Sequence, residues 1–379
     1  MAQNLTDAAQ EPDALARKRP VNAPAQTSPE LYAALDLGTN SCRMLIATPD
    51  AGHFRVVDAF AKSVRLGSGL ERTGNLSRGG IARTISALEI CADKLKKHRI
   101  RNAGNLRLVA TEACRRAGNG IDFLRLAEKR TGLNLELIRP EEEARLAVIS
   151  CAPLVASSAR QVLVFDIGGG STELVWIDLM DVPRERRAQA IVNLQMGGTE
   201  ALTKDRARIV DFISVPLGVA TLHERYSDVT DDAARFALMS WYFEEQLAGF
   251  KPYQEILSDE QLSRFQMIGT SGTVTTVGAA HLGLRRYDRR KVDGMRLSTK
   301  AIEDVIARFL KLGPEGRRND IGLGRDRSEL IMSGAAILQT LLRIWPTDSM
   351  RVADRGLREG MLFAMMSANG AYSGMAGHR

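Results

Sequence analysis

Asp166-Ile167-Gly168-Gly169-Gly170-Ser171-Thr172-Glu173 is the stretch whose reading decides the rest of the chain. Before it, Gln161-Val-Leu-Val-Phe165 is a short apolar, β-branched run; after it, Leu174-Val-Trp-Ile177 is a second. Both have the length and composition of buried strands. The pattern predicts a tight hairpin whose tip is nearly free of side chains. Consecutive glycines let backbone N–H groups converge on an anion, so Gly168, Gly169 and Gly170 are candidate phosphate-binding positions. Ser171 and Thr172 add hydroxyl donors, and Asp166 and Glu173 bracket the tip with carboxylates. Bare donors for phosphate beside acids for a metal is the composition phosphoryl transfer uses.

Toward the N-terminus the same plan recurs. Leu31–Leu35 reads as a strand, Asp36-Leu-Gly-Thr-Asn-Ser41 as a turn, and Met44–Ala47 and Phe54–Phe60 as further strands. Asp36 and Asp166 lie 130 positions apart. A repeat at that spacing implies two similar halves, each presenting one phosphate hairpin across a cleft. Between them come a helix with Ile81, Ile85, Leu88 and Leu95 on one face, and a strand at Leu106–Ala110 followed by Thr111–Arg116. A short helix spans Phe123–Arg130 and a strand Leu135–Ile138. Pro140 then opens a helix with Glu141, Glu142 and Glu143 in its first turn. Beyond the central hairpin, residues 181–205 read as a polar insertion with an extra strand at Ile191–Leu194. Asp211–Pro216 resumes the sheet, and Asp231–Phe250 and Ile302–Leu312 are helices. Phe265–Val277 is a strand that runs through Gly269-Thr-Ser-Gly-Thr273 into a helix, a further anion site. One long helix is expected over Arg325–Ile344, then a strand at Met350–Ala353 and a helix from Gly356 to Met366. Strands and helices alternating in two halves indicate an α/β fold.

Bulk properties narrow the classes. At 379 residues the chain has room for two or three domains, and 44% hydrophobic with 26% charged residues is ordinary for a globular protein. It has no apolar run of about 18 residues and no secretory h-region, so a cytoplasmic protein off the membrane is expected. Residues 1–30 are rich in proline, alanine and glutamine and read as a disordered leader. Cys42, Cys91, Cys114 and Cys151 lack metal-ligand spacing and read as reduced thiols. A formal charge of +7 calls for an anionic partner. Only 5% of residues are aromatic, which argues against nucleic acid and leaves other polyanions.

Five motifs occur in one order: Asp36-Leu-Gly-Thr-Asn-Ser-Cys-Arg43, Glu141-Glu-Glu-Ala-Arg145, Asp166–Glu173, Gly269–Thr273 and Gly356-Leu-Arg-Glu-Gly360. Together they resemble the exopolyphosphatase/guanosine-pentaphosphate phosphatase (Ppx/GppA) family over roughly residues 31–366. The resemblance implies two ribonuclease-H-like halves of the actin, sugar kinase and Hsp70 ATPase type around a central cleft. The halves would be 31–140 and 141–356, with a helix at 357–367 packing back on the first and a flexible tail at 368–379. It also implies a short form without the C-terminal HD-type domain of longer members; a homodimer remains open.

The activity implied is hydrolysis of a terminal phosphoanhydride with Mg²⁺, or Mn²⁺ in its place. Glu143 matches the family's catalytic base. Asp166 and Glu173 match its acids near the metal or attacking water. Arg43 and Arg115 match its phosphate-binding arginines. Gly38, Asn40, Ser41, Ser271, Gly272 and Arg327 join the second hairpin in lining the phosphate path. Exopolyphosphatase action on inorganic polyphosphate is the leading expectation, and removal of the 5′-terminal phosphate of pppGpp the close alternative. An ATP-binding kinase or filament protein of the same fold is the remote one. The run Arg285-Arg-Tyr-Asp-Arg-Arg-Lys291 is read either as a solvated face or as a rim that holds polyphosphate.

Overall fold

The computed structural model describes residues 30–50, 53–100, 103–194, 206–254, 258–323 and 325–370. The leader up to residue 29, residues 195–205 of the expected insertion and the tail from residue 371 lie outside them.

Two mixed sheets carry the fold. The first comprises β1 (Tyr32–Leu37), β2 (Ser41–Asp50), β3 (His53–Ser63), β4 (Leu106–Ala110) and β5 (Glu136–Leu137), in the order β3-β2-β1-β4-β5. The second comprises β6 (Gln161–Ile167), β7 (Thr172–Asp178), β8 (Arg208–Val215), β9 (Phe265–Thr270), β10 (Arg296–Ser298) and β11 (Ser349–Ala353), in the order β10-β11-β9-β6-β7-β8. The repeat seen in the sequence is repeated in the pairing. β1 has β2 antiparallel on one side and β4 parallel on the other, as β6 has β7 and β9.

Alternation along the two central strands explains where the acids go. Ala33, Leu35 and Leu37 pack in one core with Ile85, Leu88 and Cys91, while Tyr32 and Ala34 face another with Leu357 and Met361. In β6, Leu163, Phe165 and Ile167 enter the largest core, and Val162 and Val164 pack with Ala144, Val148 and Cys151. Side chains two apart share a face of a strand. Asp36 therefore faces the side of Ala34, and Asp166 the side of Val164. The helix Pro140–Cys151 lies on both of those sides: Leu146 packs with Ala34, and Ala144 with Val164. Its first turn carries Glu143, so one helix start brings that acid to both hairpins. The helix Leu357–Ala368 crosses it tightly; a Cβ at Gly360 would lie 2.1 Å from the Leu146 carbonyl oxygen.

Three local expectations are corrected. Ile191–Leu194 is not a strand: a helix spans Arg187–Val192, anchored by the buried Arg187 guanidinium, which donates to the carbonyls of Val182 and Ser157. Arg325–Ile344 is not one helix but two, Arg325–Ser328 and Ile331–Ile344; the break turns Arg327 and Leu330 into the cleft. Asp36 belongs to β1 rather than to the turn after it.

Candidate active site

The two hairpins close on one another. Each turn is tied by the same bond, Gly38 N–H to Ser41 O at 3.0 Å and Gly168 N–H to Ser171 O at 2.9 Å. A Cβ at Gly170 would stand 2.4 Å from Thr39 Oγ1, and one at Gly169 3.1 Å from Asn40 N. The glycines thus serve contact between the loops as well as access to an anion.

Between the hairpins lies a cleft of about 380 Å³. Asp36, Gly38, Asn40, Ser41 and Arg43 line it from the first sheet, and Asp166, Gly168, Gly169, Gly170 and Ser171 from the second. Glu143, Ser271, Gly272 and Arg327 also line it. Thr172, Glu173 and Arg115 stand off its surface. Thr172 donates through Oγ1 to Leu217 O, and Glu173 Oε1 accepts from Ser214 Oγ at 2.8 Å. Arg115 donates to Glu143 Oε2 at 2.9 Å, to Ile138 O at 2.9 Å and to Glu112 Oε2 at 2.8 Å. Its fork holds carboxylates and a carbonyl rather than facing the space between the loops.

The third loop is backbone-strained. Ser271 has φ 143° and ψ 171°, a region almost reserved for glycine. Its hydroxyl accepts from the N–H groups of Thr273 and Val274 and so caps the helix Gly272–His281. A Cβ at Gly272 would come within 3.9 Å of Arg43 Nη2, so the cation of the first hairpin reaches this helix start. Cation and helix N-terminus there favour negative charge together.

Electrostatics sharpen the picture. Burial pushes Asp166 up to about 8, with the nearby carboxylates of Glu143 and Asp36 adding to the rise. Glu173 is pushed up to about 7, first by burial, against hydrogen bonds from Ser171 and Ser214. Glu143 lies well above the ordinary carboxylate range because of burial and the charge of Glu173, and the Arg115 guanidinium opposes that rise. Asp36 is raised by burial and restrained by Arg358 and Arg43. Carboxylates that raise one another's proton affinity share a site where added positive charge is stabilising.

Several residues were missed in the sequence. Arg355 and Arg358 line the cleft, and Arg355 is held by Asp293 at 2.9 Å. Both flank Gly356, and charged residues around a glycine at a helix start were the available signal. Within the basic run, Arg285, Arg286, Arg290 and Lys291 are exposed. Arg289 instead turns inward to Glu359 at 3.1 Å and to the Asp354 carbonyl. Tyr287 lines the cleft, with its hydroxyl 2.6 Å from Asp354 Oδ2 and Arg327 over its ring. Among the described residues no cluster of three or more His, Cys, Asp or Glu has the geometry of a metal site, and no helix is long and apolar enough to cross a membrane.

The profile of the Ppx/GppA phosphatase family matches residues 45–369. A guanosine-5′-triphosphate,3′-diphosphate pyrophosphatase of Aeromonas salmonicida (strain A449) is 28% identical over 341 residues, covering 89% of this chain. The chain spans 60% of the length of that relative. The crystal structure of the Aquifex aeolicus member of the Ppx/GppA family is 26% identical with a TM-score of 0.67, covering 89% of this chain and 98% of the other. An exopolyphosphatase from Cytophaga hutchinsonii shares the fold, with a TM-score of 0.73 at 20% identity over 89% of this chain and 98% of its own.

Proposed function

Because the chain belongs to the Ppx/GppA phosphatase family and has the actin/Hsp70-ATPase type of fold, we infer that it hydrolyses terminal phosphoanhydrides. The observation that carries this reading is Glu143, an acid at a helix start, placed in a cleft between two phosphate-type hairpins. Glu143 accepts the proton of the attacking water. Its raised proton affinity makes its ionised form a stronger base than an ordinary carboxylate. Arg115 occupies Oε2 and so fixes the direction of the other oxygen. Arg43, Arg327, Arg355 and Arg358 offset the charge of the phosphate chain, and the hairpin backbones and the start of the helix Gly272–His281 hold its oxygens.

A divalent cation, Mg²⁺ or Mn²⁺, fits the donor set. Asp166 and Asp36 both line the cleft, are both raised by burial and repel one another. Asp166 would hold the ion from the cleft wall, with Glu173 behind it adding negative charge. When bound, the ion supplies Lewis-acid charge to phosphoryl oxygens.

Inorganic polyphosphate is the substrate favoured by the four cleft arginines, which come from separate segments: Arg43 from β2, Arg327 from the helix Arg325–Ser328, and Arg355 and Arg358 on either side of Gly356. A second reading, 5′-phosphate removal from pppGpp, is favoured by the name of the Aeromonas relative and by Tyr287, an aromatic ring at the cleft. Glu143→Ala tests the shared chemistry. Phosphate release should fall by roughly 100- to 10,000-fold, the usual worth of a general base, with an unchanged circular dichroism spectrum. Turnover near wild type would remove Glu143 from the role.

A further inference from the structure

We propose that an ion-pair relay from Glu143 to Arg225 makes Glu71, Arg116 and Arg225 positioning residues for the base. The proposal rests on the hydrolytic reading above. Arg115 bridges Glu143 Oε2 and Glu112 Oε2, at 2.9 and 2.8 Å. Arg116 stands 3.8 Å from Glu112 Oε1 and 2.7 Å from Glu71 Oε2. Glu71 Oε1 accepts in turn from Arg225. Acid and base thus alternate through six side chains, and each interior member touches both of its neighbours. Side-chain exposure is 10–15% at Glu143, Arg115 and Glu112 and 18–37% at Arg116, Glu71 and Arg225.

The far end is attached to the other hairpin. Arg225 closes the helix Val219–Arg225, whose first turn is bonded to the glycine loop: Val219 N–H to Gly168 O at 3.0 Å, and Ala220 N–H to Gly169 O at 2.8 Å. The same helix takes a second bond from the first half, Gly69 N–H to Glu224 Oε2 at 2.9 Å. The position of the phosphate hairpin is therefore transmitted to Glu71, and through Arg116, Glu112 and Arg115 to Glu143. The loose link is Arg116 to Glu112. Without Glu71, Arg116 is free to close on Glu112 and competes with Arg115 for it; without Arg225, Glu71 loses its tie to the helix Val219–Arg225 and no longer fixes Arg116. Arg115 loses its setting between Glu112 and Glu143, and the base loses its direction.

The test uses the full chain with tripolyphosphate and Mg²⁺, and compares Glu71→Gln, Arg225→Gln and Arg225→Lys with the wild type. Both glutamine variants should lose about tenfold in kcat, the scale expected for coupled neighbours, with KM within about twofold. Arg225→Lys should recover most of the loss. In a Glu143→Gln background, Glu71→Gln should add no further loss, because its effect passes through the base. Melting temperatures should barely move, since exposed pairs contribute little to stability. Unchanged kcat in both glutamine variants overturns the relay. So does a kcat loss that follows a fall in melting temperature, a failure of lysine to rescue, or an added loss in the Glu143→Gln background. Wild-type protein that releases no phosphate from any polyphosphate overturns the hydrolytic reading, and the relay with it. Active wild type with unaffected variants overturns the relay alone.

Discussion

In the first hairpin Asp36 stands across the ladder from Arg43; in the equivalent place of the second, Asp166 stands across from Glu173. Residues directly opposite in an antiparallel pair share a face, so each pair is one local charge unit. The turns are the same to the hydrogen bond, and each central strand has the same neighbours. Only the charge differs. The first hairpin pairs acid with base and sends Arg43 toward the start of the helix Gly272–His281, which suits an anion. The second stacks two buried acids, both raised in proton affinity, which suits a cation. One backbone plan, used twice, yields opposite electrostatic halves of one cleft.

Breaking that asymmetry should have the largest effect. Arg43→Glu gives the first hairpin the charge of the second. We expect kcat/KM for polyphosphate to fall by at least about 100-fold, as when a charge-stabilising donor is lost, measured by steady-state phosphate release. A loss below threefold would mean that Arg43 does not face the phosphate path.

Protonation sharpens the comparison. Burial pushes Asp166 up to about 8 and Glu173 up to about 7 in the folded chain, against ordinary values of 3.8 and 4.5. Between those values the folded state keeps protons that the unfolded state has released, so metal-free stability must fall as pH rises from about 4 to about 8. Melting in chelator should show a midpoint several degrees lower at pH 8.5 than at pH 5. Asp166→Asn should remove much of that slope, and Mg²⁺ should raise the midpoint of the wild type at pH 8.5. A flat profile would contradict the buried acidic pair.

The smallest effects separate the glycines. Gly170→Ala forces a methyl group to 2.4 Å from Thr39 Oγ1 and should cost about 1–3 kcal/mol in denaturant unfolding. At Gly38 a Cβ meets Ser41 O at 3.6 Å and Asp36 Oδ1 at 4.0 Å, ordinary contacts, and alanine there should stay within about 1 kcal/mol of wild type. Equal costs would show that the loops do not pack as described.

The two-sheet fold was legible because its signals are local: β-branched runs, glycine turns and an aspartate at each strand end. The reach of side chains was not. Arg115 read as a phosphate ligand, yet its partners are Ile138, just after β5, and Glu143, in the helix that follows, and only the tertiary fold of β4 beside β5 brings them within 3 Å. Glu173 read as a cleft acid; it shares a face with Asp166 across the ladder but lies one strand further out, where Ser214 of β8 donates to it. Between Arg325 and Ile344 the only glycine or proline is Gly334, beyond the break, so the break before Ile331 had no local signal in the sequence. Ile191 and Val192 read as strand from their β-branching, and the buried Arg187 one turn earlier outweighed that preference.

The central claim is that Glu143, set between an anion hairpin and a cation hairpin, cleaves terminal phosphoanhydrides. One assay addresses it most directly: phosphate release from tripolyphosphate, long-chain polyphosphate, pppGpp and ATP, with Mg²⁺, by the wild type and by Glu143→Gln. The account predicts rapid release from a polyphosphate or from pppGpp, little from ATP, and near-complete loss in the variant. Release from none of the four by the wild type, or equal release by both proteins, would contradict it.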